Sequence, residues 1–227
     1  MAIDKQSWER FLNQLRMELP GSSDTGIKEK LFDVLDEFCE YSGAWQETLT
    51  VPILAGTTTG NVNTNTTYTL TPAQDGYIIR LVGVWDSNLI PVPCFLPTFE
   101  GGPNSVGLLQ LINPVNQNQN VTVTVAKTVA LPTTKDDVPV FSETLFKRYH
   151  RYLRDGVMGY MQAQMGKPYT NQQLSTANLV RFRNGVSTAR VQVERQNTKG
   201  AQAWSYPQTF RTGGQRGGVA SPSAQTF

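Results

Sequence analysis

The stretch FSETLFKRYHRYLRDGVMGYMQAQMGKPYTNQQLSTANLVRFRNGVSTARVQV, residues 141–193, decides how the rest of the chain is read. It spells two amphipathic helices with a tight break between them. Pro139 and Ser142 mark the first start. Leu145, Tyr149, Tyr152, Leu153, Gly156, Val157 and Tyr160 then recur at helical spacing as one buried stripe. Gly156 and Gly159 each cost a helix on the order of 1 kcal/mol. A helix that keeps both predicts close approach of a neighbour. Lys147, His150, Arg151 and Arg154 form a basic face on the same helix. Gly166 and Pro168 end it, and Thr170 or Asn171 opens the next. There Leu179, Phe182, Val186, Ala189 and Val193 repeat at 3, 4, 3, 4, a narrow coiled-coil-like seam.

Working outward, residues 5–19 and 24–42 predict two more helices. Trp8, Phe11, Leu12, Leu15 and Leu19 line the first, which Pro20-Gly21 stops. Ile27, Leu31, Val34, Leu35, Phe38 and Tyr41 line the second, opposite an acidic face of Asp33, Asp36, Glu37 and Glu40. From Trp45 to about residue 131 the period falls to two. Residues 47–54 contain Pro52 and predict an edge strand. Residues 68–71 and 77–85 read as a hairpin across Asp75-Gly76, with the apolar run 77–85 as the central strand. Residues 107–112 and 121–131 complete the set, and 121–125 alternate valine in and threonine out. The polar runs 56–67 and 113–120 cannot bury apolar surface and read as loops or contact arms. The fold class is therefore α+β: a four-helix bundle with an inserted antiparallel β-sandwich or barrel and an extended C-terminal tail. The expected divisions are 1–44, 45–137, 138–197 and 198–227.

Charge is split along the 227 residues. Residues 1–137 hold 8 Lys+Arg against 15 Asp+Glu, a net of −7, and residues 138–227 hold 12 against 3, a net of +9. The two parts thus face different environments: nucleic acid, an acidic partner, or each other in neighbouring copies. Cys39 and Cys94 leave one disulfide or two thiols open. A helical context for one and a Pro-rich context for the other favour thiols in a reducing compartment. The first residues, MAIDKQSWERF, predict no signal peptide, and no apolar run predicts a membrane span.

No phosphate loop, GxSxG or HExxH motif occurs, and His150 is the single histidine. It reads as a surface residue on the basic face. Neither a catalytic site, a cofactor site nor a metal site is expected, and the chain is not expected to be an enzyme. Residues 198–227 have no periodicity, yet Trp204, Tyr206 and Phe210 are spaced along them as aromatic anchors of a docking peptide. Folding back on the chain's own domain is the other reading.

The order of elements then matters. Two helices ending in FCEYSGAW (38–45) precede a β insertion. A VP-led helix with Tyr149-x-x-Tyr152-Leu153-x-x-Gly156 follows, then GKPYTN (166–171) and RFRNG (181–185) in a basic last helix. Over about residues 5–197 this resembles the head-to-tail adaptor (connector, head-completion) proteins of short-tailed bacteriophages. The likeness is weakest in the β region, whose loops are longer here. The resemblance implies a ring of twelve copies under a portal protein, with helices in the ring wall, the tail in portal clefts and a downstream tail or nozzle protein on the far side. Genomic DNA would pass through the bore without sequence-specific contact. It implies a place at the virion neck after synthesis in the host cytoplasm, with no membrane. It assigns Trp204, Tyr206, Phe210, Arg211, Arg216 and Phe227 to portal contact. Asp33, Asp36, Glu37, Glu40, Arg151, Arg154, Arg183 and Arg190 go to contacts between subunits. Two other readings stay open: a DNA-binding regulator using the basic helices, and a glycan-binding β-sandwich suggested by the polar loops and Trp85.

Overall fold

A computed structural model of the chain describes residues 3–54, 58–59, 62–63, 67–70, 76–95, 107–112, 118–130 and 138–197. The chain divides into two units, Met1–Val193 and Glu194–Phe227. The described part of the second is residues 194–197, the last turn of a helix. The first unit mixes helices with antiparallel strands.

Helix α1 (Lys5–Glu18) starts where Asp4 accepts a hydrogen bond from the Ser7 amide at 3.2 Å. Helix α2 (Asp24–Ser42) starts the same way at Ser23 and ends at Gly43, whose φ of +58° suits a residue without Cβ. Arg16 clamps Asp24 through two bonds of 2.8 and 2.7 Å, tying α1 to the start of α2 and holding that carboxyl below its usual range. Near the other end of the chain stand α3 (Glu143–Gln162) and α4 (Gln172–Asn197). The break between them is fixed by polar bonds. Ser175 donates to the Gly159 carbonyl at 2.8 Å, Asn178 donates to Gln162 at 3.0 Å, and the Asn171 side chain accepts from the Leu174 amide at 3.1 Å.

All four helices feed one apolar core, from Trp8 and Leu15 through Leu31 and Phe38 to Phe146, Leu153, Phe182 and Ala189. The α4 seam behaves as its spacing predicts: Phe182, Val186, Ala189 and Val193 are buried and Leu179 is half-buried. The α3 glycines also behave as predicted. A Cβ on Gly156 would stand 2.8 Å from Val34 Cγ1, and one on Gly159 would stand 2.7 Å from Leu179 Cγ. Gly185 of α4 adds a third close approach, against the ring of Tyr152. Three details differ. Phe146, Met158 and Met161 are buried although the stripe omitted them, while Leu145, Tyr152 and Tyr160 are half-buried. Tyr41, expected inside, is 59% exposed, because it sits on the edge of α2 and outside the core.

The strands come between these helices: β1 (Gln46–Ile53), β2 (Thr58–Thr59), β3 (Val62–Asn63), β4 (Thr67–Leu70), β5 (Tyr77–Trp85), β6 (Cys94–Phe95), β7 (Gly107–Leu111) and β8 (Gln119–Thr128). They form three sheets ordered β1-β8-β5, β2-β3 and β4-β7-β6. The Pro52 strand is at an edge, as expected. The centre of its sheet is β8 and not the apolar run 77–85, which lies at the other edge. Strand β8 earns the centre by clean alternation: Val121, Val123 and Val125 are fully buried, and it pairs on both sides. Strand β5 meets it with two register shifts and only two fully buried side chains, Ile78 and Val84. The expected hairpin of 68–71 with 77–85 is also corrected. Strand β4 pairs with β7 instead, and Leu70 joins Leu109 and Leu111 in the second apolar core. Inside the polar run 56–67, β2 and β3 pair as a miniature ladder.

Strand β8 ends against α2. Thr128 Oγ1 donates to Asp36 at 2.5 Å, and the Lys127 amide donates to the Trp45 carbonyl at 2.8 Å. Lys127 continues the inward row of Val121, Val123 and Val125, and its side chain is fully buried. There its ammonium meets Glu47 at 2.5 Å and the Trp45 ring at 4.6 Å. A charge taken out of water is tolerated only when paired, and removing one partner of such a pair typically costs about 3–5 kcal/mol. We expect Glu47→Gln to lower the unfolding free energy by about that much in urea titrations. Lys127→Met should cost less, because Glu47 still reaches water. Equal stability of Glu47→Gln and the parent chain would contradict this account of the junction.

Candidate functional site

The residues assigned to contacts between subunits lie on α2, α3 and α4, and the structure gives them unequal surroundings. On α2, Asp33 is engaged by Lys30 one turn away at 2.6 Å. Asp36 receives the Thr128 bond and Glu37 receives the Tyr160 hydroxyl at 2.5 Å. Two of the four carboxylates therefore tie α2 to β8 and to α3. Glu40 is exposed. Burial, and then Glu37 beside it, push the Tyr160 phenol up to about 12.

On α3, Arg151 is exposed and Arg154 is not free. Its guanidinium lies 3.5 Å from Glu18 and 3.9 Å from Asp155, and its Nε is buried without a hydrogen-bond partner among the described residues. His150 is exposed, as expected, with Nδ1 2.8 Å from the Lys147 carbonyl. On α4, Arg183 and Arg190 are exposed. With Val186 and Ser187 they line a cleft of about 360 Å³ whose other wall is Glu37 and Tyr41 of α2. Opposite charges assigned to different subunits thus meet across one cleft within a single chain.

The thiols match the reduced reading. Cys39 and Cys94 are both free, and they sit in different cores. Burial raises both thiols, Cys39 most, which favours their protonated form. Among the described residues no group of three or more His, Cys, Asp or Glu side chains could hold a metal ion. No described helix is long and apolar enough to cross a membrane. Trp85, which suggested glycan stacking, packs its ring over Gly83 and bridges through its backbone to Pro91. The tail residues Trp204, Tyr206, Phe210, Arg211, Arg216 and Phe227 lie outside the described residues.

Sequence reading missed two groups. Lys127 could have been found, because it continues the inward row of β8. Asp155 carried no such signal: it lies one position from the predicted stripe yet is buried. Burial raises its carboxyl, against the pull of Arg154, Arg181 and Arg151. The native state therefore binds more protons than the unfolded chain between the ordinary carboxylate pKa and the raised one, and stability falls as pH rises through that window. Asp155→Asn removes the titrating group. We expect its urea midpoint to gain on that of the parent chain as pH rises from about 4 to about 7; a difference independent of pH contradicts this assignment. No protein-family model matches the chain, and no curated protein matches it, so the functional reading rests on this geometry and on the sequence.

Proposed function

We propose that this chain is a structural assembly protein, a head-to-tail adaptor of a tailed-bacteriophage neck. The proposal takes the helices as a four-helix bundle, the strands as an inserted β-sandwich or barrel, and residues 198–227 as an extended anchor. The observation that supports it most is the shared core. Helices from both ends of the described chain pack together, while the segment between them leaves as strands and forms a second core of its own. That is the order of elements on which the family resemblance rests.

On this reading the copies stand in a ring, twelve on the family template, between a portal protein and a downstream tail or nozzle protein. A ring uses head-to-tail contacts, so each copy presents two unlike faces. The −7 and +9 halves of the chain supply unlike faces. The tail docks on the portal through Trp204, Tyr206 and Phe210, and many copies acting together make a weak insertion firm. DNA passes through the bore and no chemistry is performed.

Deleting residues 198–227 is expected to leave the thermal midpoint nearly unchanged while abolishing capture on isolated portal rings. A truncated chain that is captured as well as the full chain removes the anchor role. Exposed Arg151, Arg181, Arg183 and Arg190 favour one competing reading, duplex DNA binding. That reading requires steeply salt-dependent affinity in the absence of any partner.

A further inference from the structure

Helix α4 carries a second seam besides the buried one. Ala177, Val180, Asn184, Ser187 and Val191 repeat at 3, 4, 3, 4, and every one of them is exposed, Val180 by 51% and Val191 by 44%. The offset of two residues turns this seam roughly 160° around the helix from the buried seam. It carries no charge, although a solvated helix face ordinarily would. Arg183 and Arg190 flank it on one side and Arg181 on the other. The spacing suits knobs-into-holes packing against another helix, and the small side chains allow its backbone to come close.

The cleft supplies an independent feature at the same place. Arg183, Ser187 and Arg190 belong to the seam or its flank and also line the cleft, beside the exposed ring of Tyr41. What would cover such a surface is set by charge. Glu29, Asp33 and Glu40 lie on one face of α2, spaced 4 and 7 residues apart, and all are exposed. They form an acidic helical face of the kind an arginine-flanked seam accepts.

We propose that the outward seam of α4 is a docking surface for a second copy of this chain, packed on the acidic face of that copy's α2. The two surfaces are unlike, so the contact is head-to-tail and leaves each copy one free surface of each kind. The inference rests on the assembly reading for its need of further copies, but it names the surface, and it holds without any portal.

The test uses the full chain in solution. Its mass is followed from about 10 µM to about 1 mM, a range that registers even weak association. Self-association is expected, weakened by salt. Val180→Glu and Val191→Glu, both at exposed sites, should shift it at least about tenfold to higher concentration without changing the thermal midpoint. A chain carrying Asn184→Cys, mixed with one carrying Asp33→Cys, should give a cross-linked heterodimer with a short bis-maleimide. Neither variant alone should cross-link beyond the parent chain. A parent chain that stays monomeric overturns the proposal. So does association unaffected by Val180→Glu, or Asn184→Cys cross-linking to itself. Duplex DNA covering the seam in place of a second copy overturns it too. Capture on portal rings is read separately. Self-association through this seam without portal capture sinks the adaptor reading alone. Portal capture with seam variants that associate normally sinks this inference alone.

Discussion

The last turn of β8 is the point on which the rest depends. At Lys127 the inward face of the sheet runs out of valines and places an ammonium where no water reaches, against Glu47 and the ring of Trp45. One residue on, Thr128 donates to Asp36 of α2. Lys127 cannot be buried without Glu47, and Thr128 reaches its partner only once β8 meets α2, so the chain must complete β1, β8 and α2 together. A strand that is the centre of its sheet and also the plug against α2 holds the β core to the helical core. This explains how a long insertion can leave the helical core between α2 and α3 without separating it.

Above that junction the helical core is set by close approach. Gly156, Gly159 and Gly185 hold space for Val34, Phe182, Leu179 and Tyr152. Each glycine gives up helix propensity, and the fit of a neighbour offsets it. The result is a helix α4 bound along one narrow seam. Among the described residues much of its surface, including a second seam of the same period, is exposed.

The helices were legible because their signal is local: a stripe at 3.6 residues per turn, a cap and a stop lie within one run of sequence. Ser142 opens α3 where such reading puts it. Strand pairing was not legible, because partners such as Leu70 and Gly107 are distant in sequence and any apolar run fits a centre or an edge. Run 77–85 looked central through composition alone, while β8 was central through clean alternation on both sides. The site divides in the same way. Sequence shows the sign of Asp36, Glu37 and Arg154 but not what they meet, and each meets a residue of its own chain. Tyr41 was misplaced because its exposure depends on which elements pack beside α2, which no local pattern records.

An adaptor is defined by what it joins, so the decisive quantity is the mass of a complex. Full-length chain mixed with isolated portal rings and measured by native mass spectrometry should give one assembly carrying as many copies of this chain as the portal has subunits. Images of that assembly should show a closed ring around an open bore. Portal rings whose mass is unchanged by an excess of the folded chain would contradict the account.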